Sequence, residues 1–67
     1  MERLRVLRAE RKITQEKLAF DTGMSYRGYS NIENGKSVPS MDTLVVLADY
    51  FDVSIDFLIG RSESRGR

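Results

Sequence analysis

Between Thr14 and Lys36 the sequence TQEKLAFDTGMSYRGYSNIENGK is punctuated twice in the same way: a hydroxyl residue opens each half and a glycine closes it. Thr14 and Ser25 are residue types whose side-chain oxygen accepts a hydrogen bond from an orphan backbone N–H in the first turn of a helix. Gly23 and Gly35 are the type that takes a left-handed conformation after a last turn without steric cost. The spacing predicts two short helices, 14–23 and 25–34, joined by a tight corner at Thr22-Gly23-Met24. Leu18, Ala19, Met24, Tyr29 and Ile32 fall where two crossed helices need apolar contact, and small Ala19 permits close approach. Arg27, Ser30, Asn31 and Asn34 are left on a face that points away from the core. That face is polar, weakly charged and rich in side chains that bond in pairs.

The remaining residues read as support for this corner. Residues 2–12 predict a helix with Leu4, Leu7 and Val6 turned inward. Ile13 and Leu18 flank the Thr14 cap at the spacing of a hydrophobic staple, which fixes the angle at which a chain enters a helix. The same spacing returns at Met24/Ser25/Tyr29 and at Val53/Ser54/Leu58. Repeated staples are the mark of short helices with pinned entry angles, joined by brief turns. Beyond Gly35, Pro39 ends a connection and Ser40 caps a fourth helix over 41–51, with Leu44, Val45, Leu47, Ala48 and Phe51 as candidate core. Asp42 near its start complements the helix dipole. Ser54 caps a last helix over 55–59, with Asp56 in its first turn, and Gly60 stops it. No strand is required. The expected fold is all-α, a compact five-helix domain over residues 1–60. The tail 61–67, RSESRGR, has no apolar residue and is expected to be disordered.

Sixty-seven residues suffice for one domain. A chain this short buries only about 60% of its unfolded surface and is marginal unless something adds stability. With no cysteine and no histidine, disulfides, thiolate zinc sites, histidine triads and imidazole acid–base chemistry are all excluded. The carboxylates fall at caps and solvent positions, so no enzyme, metal or cofactor is expected. Helix packing and a dimer interface remain as sources of stability. The net charge of +1 hides an asymmetry: residues 1–36 carry +3, residues 37–60 carry −4 and the tail carries +2. Such a distribution suits one surface that faces a polyanion and another turned from it. No apolar run approaches the roughly 18 residues that span a bilayer. Met1 is followed at once by charged residues rather than by a signal peptide, so the expected location is cytoplasmic.

The order Gln15, Leu18-Ala19, Gly23-Met24-Ser25, Tyr29, Ile32-Glu33-Asn34-Gly35-Lys36, Pro39-Ser40 and Leu44 resembles the Cro/repressor-type (XRE family) helix-turn-helix. The similarity covers roughly residues 3 to 60, and its strength lies in the joint match rather than in any one element. It implies a lambda-repressor-like fold whose second motif helix enters the major groove of double-stranded DNA. In that geometry Tyr26, Arg27, Ser30 and Asn31 are the base-reading candidates. Arg27 can donate two bonds to guanine, and Asn31, one turn on, can pair with adenine in the same groove. Phosphate contacts are expected from Thr14 and Gln15 at a helix N-terminus, from Ser25, and from Ser40. By resemblance, Asn34, Gly35 through its N–H, and Lys36 grip the far flank. The resemblance also implies an ion pair between Arg8 and Glu33 beneath the reading helix, one that orients the helix rather than touching bases.

Two departures from the family pattern stand out. Gly28 puts a helix-weakening residue in the first turn of the reading helix, explained either by close approach to the duplex or by relief of crowding beside Tyr26 and Tyr29. Tyr29 occupies an inward position where relatives place a smaller aliphatic, so its hydroxyl needs a polar partner. The function expected from the resemblance is a sequence-specific transcriptional regulator, a repressor acting as a homodimer on a two-fold operator. Dimerisation is assigned to the apolar C-terminal half, through Val45, Tyr50, Phe51, Ile55, Phe57, Leu58 and Ile59. The alternative is a protein-interaction module, such as an antitoxin or adaptor, with DNA contact secondary.

Overall fold

Four of the five helices begin on the hydroxyl residue that the sequence assigns to them. The computed structural model describes residues 1–66. It contains α1 (Glu2–Arg11), α2 (Gln15–Thr22), α3 (Tyr26–Glu33), α4 (Met41–Phe51) and α5 (Ile55–Leu58), and no strand among the described residues. The cap hydroxyls of Thr14, Ser25, Ser40 and Ser54 each accept from the N–H three residues on, at 3.0 to 3.2 Å. Each removes one of the unsatisfied donors of a first turn.

The helices also end alike. After α2, Gly23 takes a φ of 73°, its N–H donates to the Phe20 carbonyl at 3.3 Å, and the Met24 N–H donates to Ala19 at 2.9 Å. This paired closure satisfies two orphan carbonyls and reverses the chain, which makes the corner between α2 and α3. The same bonds close α1 and α4, but there the left-handed residues are Lys12 and Asp52, with φ of 57° and 56°. The fourth helix ends after residue 51 as the sequence places it, although neither Lys12 nor Asp52 favours this conformation as glycine does.

One core joins the helices. Leu4 and Leu7 of α1, Leu18 and Ala19 of α2, Tyr29 and Ile32 of α3, Leu47, Ala48 and Phe51 of α4, Val53, and Phe57 and Leu58 of α5 are all buried. Ile13 and Met24, the outer members of two staples, pack against its edge. Two expectations fail. Val6 and Val45 are each 41% exposed. The α4 stripe runs through Leu44, Leu47, Ala48 and Phe51, a spacing that leaves Val45 and Val46 on the flank.

Residues 61–66 make contacts with α5 and α1. Arg3 donates to the carbonyls of Phe57 and Ser62 at 2.9 Å and to both carboxylate oxygens of Glu63 at 3.1 Å. Arg65 pairs with both oxygens of Glu10 at 2.8 and 2.7 Å, and its carbonyl accepts from the Ser54 N–H at 3.1 Å. The guanidinium groups of Arg3 and Arg65 stack on the Phe57 ring, 4.2 and 5.2 Å from its centre. An apolar-poor segment is thus held by ionic contacts across more than fifty residues of sequence. Arg67 lies outside the described residues. No helix is long and apolar enough to cross a membrane, among the described residues.

Candidate nucleic-acid interface

The α3 helix is fixed from beneath by one carboxylate. Glu33 is 2% exposed and accepts from four donors: Arg8 Nε at 2.9 Å, Arg8 Nη2 at 3.1 Å, the Tyr29 hydroxyl at 2.9 Å and the Gln15 amide. Arg8 sends its remaining terminal nitrogen to the Ile13 carbonyl at 2.8 Å. Three helices therefore meet at a single group. Burial alone pushes the Glu33 carboxyl up, but the hydrogen bonds from Arg8, Gln15 and Tyr29 outweigh it and hold the group below the usual carboxylate range. The hydrogen bond to Glu33 raises Arg8, and burial followed by the bond to Glu33 raises Tyr29. Glu33 is accordingly a charged carboxylate with both oxygens accepting hydrogen bonds, the condition under which a buried charge is tolerated.

With its underside pinned, α3 presents the opposite ridge. Tyr26 and Arg27 are exposed, and Ser30 and Asn31 are half-buried. Among the described residues the side chains of Tyr26, Arg27 and Asn31 make no hydrogen bond or ion pair. A guanidinium and a carboxamide one turn apart on one ridge can each bond in bidentate fashion to an edge laid against them.

Gly28 has an explanation that the sequence did not suggest. A Cβ at this position would stand 2.9 Å from the Ser25 Oγ, the atom that caps α3. The missing Cβ leaves room for the cap oxygen.

The expected phosphate contacts divide. Lys36 is exposed and unpaired among the described residues. Thr14 and Ser25 are exposed, and each accepts a backbone N–H while keeping its own hydroxyl hydrogen. The backbone N–H groups of Gln15 and Glu16 are the open donors of the α2 first turn. The side chain of Gln15, however, turns to Glu33. The Gly35 N–H donates to the Ile32 carbonyl at 3.2 Å, within the closure of α3. The Ser40 hydroxyl donates to Thr43 Oγ1 at 3.1 Å while accepting from the Thr43 N–H. Both groups take part in helix ends.

Asn34 is joined on two sides, accepting from Arg5 Nη2 at 3.1 Å and donating to Ser30 Oγ at 3.3 Å. Arg5 was not singled out from sequence. It lies one turn before Arg8 on α1, the face that meets the end of α3, and that spacing was the available signal.

The family model described as helix-turn-helix matches residues 4–58. The chain belongs to the helix-turn-helix family. Within that family it is 39% identical over 62 residues to the uncharacterized HTH-type transcriptional regulator YobD of Bacillus subtilis, across 92% of this chain and 55% of that protein. It is 44% identical over 59 residues to the HTH-type transcriptional repressor RghR of the same organism, across 87% of this chain and 44% of the relative. It is 42% identical over 48 residues to the cryptic phage CTXphi transcriptional repressor RstR of Vibrio cholerae, across 72% of this chain and 43% of the relative. Each of these helix-turn-helix relatives is named as a regulator or repressor, not as an enzyme. The chain spans about half the length of the three. No solved structure matches it.

Proposed function

We propose that this helix-turn-helix chain is a cytoplasmic, sequence-specific regulator of transcription, a repressor that binds double-stranded DNA as a homodimer. In this reading α3 enters the major groove, and Tyr26, Arg27, Ser30 and Asn31 face base edges. Thr14, Ser25, Lys36 and the first turn of α2 face phosphates. The observation that carries the reading is the ridge itself: three side chains without partners among the described residues stand on a helix whose other face is tied down by Arg8, Gln15 and Tyr29.

The dimer follows from need and from surface. A single short helix contacts too few base pairs for strong discrimination, whereas two copies read half-sites about 34 Å apart. Of the C-terminal residues considered for an interface, Phe51, Phe57 and Leu58 are spent in the core, but Val45 and Ile59 remain exposed. Ile59 borders an apolar groove of about 560 Å³ together with Ile32, Val38, Pro39, Leu44 and Leu58. Val38, 94% exposed beside this groove, is the side chain that a second copy would cover. Repression itself would be steric exclusion of polymerase from an occupied operator.

One observation favours the second reading, a protein-interaction module. Phe20 on α2 is a large apolar side chain that stands 83% exposed. Selection of binding sites from random duplexes separates the two readings. A regulator recovers a defined two-fold sequence, whereas an adaptor recovers none.

A further inference from the structure

We propose that Arg5, acting with Asn34 and Lys36, forms a phosphodiester-binding seat at the carboxyl end of α3. The inference rests on the DNA-binding reading above and names a contact that it lacks. A helix carries roughly half a negative charge at its C-terminal end, which repels a phosphate unless cations offset it. The last turn of α3 contains no basic residue. The offset must come from outside the helix, and two groups supply it: Lys36, just past the turn, and Arg5, reaching across from α1.

Arg5 is attached to this corner by a specific bond. Its Nη2 donates to Asn34 Oδ1 at 3.1 Å, and Asn34 Nδ2 donates in turn to Ser30 Oγ at 3.3 Å. A short relay thus connects α1 to the exposed ridge. The guanidinium is not exhausted by it. Arginine offers five N–H donors in a planar fork. Its other contact, Glu2 Oε1 at 3.4 Å, is a surface pair with the two side chains 49% and 74% exposed, which a phosphate can displace at little cost. The dimensions agree. The eight residues of α3, at about 1.5 Å each, span about 12 Å, the width of a major groove. With the first turns of α3 against base edges, its last turn meets the sugar–phosphate wall, and Arg5 stands beside that turn.

The test is the salt dependence of binding to a mixed-sequence duplex of about 20 base pairs. Fluorescence anisotropy between about 50 and 200 mM salt would compare the unaltered chain with Arg5→Gln and Arg5→Lys, with far-UV circular dichroism as the check on folding. Each phosphate neutralised contributes about 0.9 to the slope of log affinity against log salt. Arg5→Gln is expected to flatten the slope by about that amount, so that a fourfold rise in salt weakens it about 3.5-fold less than the unaltered chain. Arg5→Lys keeps the point charge and is expected to keep the slope. Weaker binding by Arg5→Gln at an unchanged slope would make Arg5 a prop for Asn34 and would overturn the phosphate seat while leaving the regulator reading intact. An unaltered chain whose duplex binding ignores salt would remove both.

Discussion

Tyr29 and Glu33, one turn apart on α3, are joined by a 2.9 Å hydrogen bond inside the core. The tyrosine is fully buried, and its hydroxyl is one of four donors on a single buried carboxylate. It therefore serves as core filler and as part of the polar clamp. Tyr29→Phe keeps the ring and removes only the donor. Hydrogen bonds to charged groups are worth about 1.5 to 3 kcal/mol, so a loss near 2 kcal/mol is expected in urea unfolding, with little change in the m-value.

Glu33→Ala removes the acceptor and strands Arg8, whose side chain is 19% exposed. Breaking such a pair from one side costs about 3 kcal/mol. Because Glu33 is shielded from solvent, the cost is expected to be nearly the same at low and high ionic strength. A small loss that disappears in salt would show the pair to be exposed.

The lowered pKa of Glu33 has a pH signature. A carboxyl held below its ordinary value of 4.5 in the folded state stabilises the fold fully above 4.5. That contribution is lost as the pH falls through the folded value. Urea midpoints measured from neutral pH down to about pH 3 are expected to fall through the acid range, and Glu33→Gln is expected to flatten the fall. Glu10 and Asp21 are also held below the usual carboxylate range, by the hydrogen bonds from Arg65 and Tyr50 respectively. Both lie at the surface, where salt weakens them, so the salt-resistant part of the decline belongs to Glu33.

Gly28 and Ser25 are coupled through one missing methyl group. Alanine at position 28 gains up to about 1 kcal/mol of helix propensity, but its Cβ would press on the cap oxygen 2.9 Å away. Losing a cap costs about 1 kcal/mol. Gly28→Ala is expected to be neutral or destabilising in the native background and stabilising in a Ser25→Ala background. A double-mutant cycle that showed simple additivity would contradict the coupling.

The base-reading assignment predicts a pattern of specificity rather than a level of affinity. Arg27→Ala and Asn31→Ala are each expected to cost about 1 to 3 kcal/mol on the selected site and to relax preference at single positions. Lys36→Ala is expected to weaken all sequences alike. Uniform weakening by all three in a binding-site selection would demote Arg27 and Asn31 to backbone contacts.

The helix starts were readable because a cap involves residues three apart, and Thr14, Ser25, Ser40 and Ser54 each stand before an apolar stripe. Gly23 was readable for the same local reason. The left-handed backbone of Lys12 and Asp52 was not, since neither residue type takes it as freely as glycine, although the end of the fourth helix at residue 51 was. Val45 was misplaced because α4 holds more apolar residues than one stripe accommodates, and composition does not say which of them lose. The contacts of Glu63 and Arg65 were not legible because Arg3 and Glu10, which make them, lie at the other end of the chain. At the interface, periodicity was enough to turn Tyr26 and Arg27 outward. It gave no warning that Gln15, Gly35 and Ser40 would spend their donors internally, because that depends on partners elsewhere in the fold.

The strap formed by residues 61–66 gives the fold a second way to come undone. Its ion pairs lie at the surface, whereas the core beneath it is chiefly apolar, so concentrated salt or removal of residues 61–67 should loosen the strap and leave the helices standing. Hydrogen exchange would report this at one amide, the Ser54 N–H, now bonded to Arg65. In a longer polypeptide that seam is where tension from the following segment would first be felt, and the five helices would sense it last.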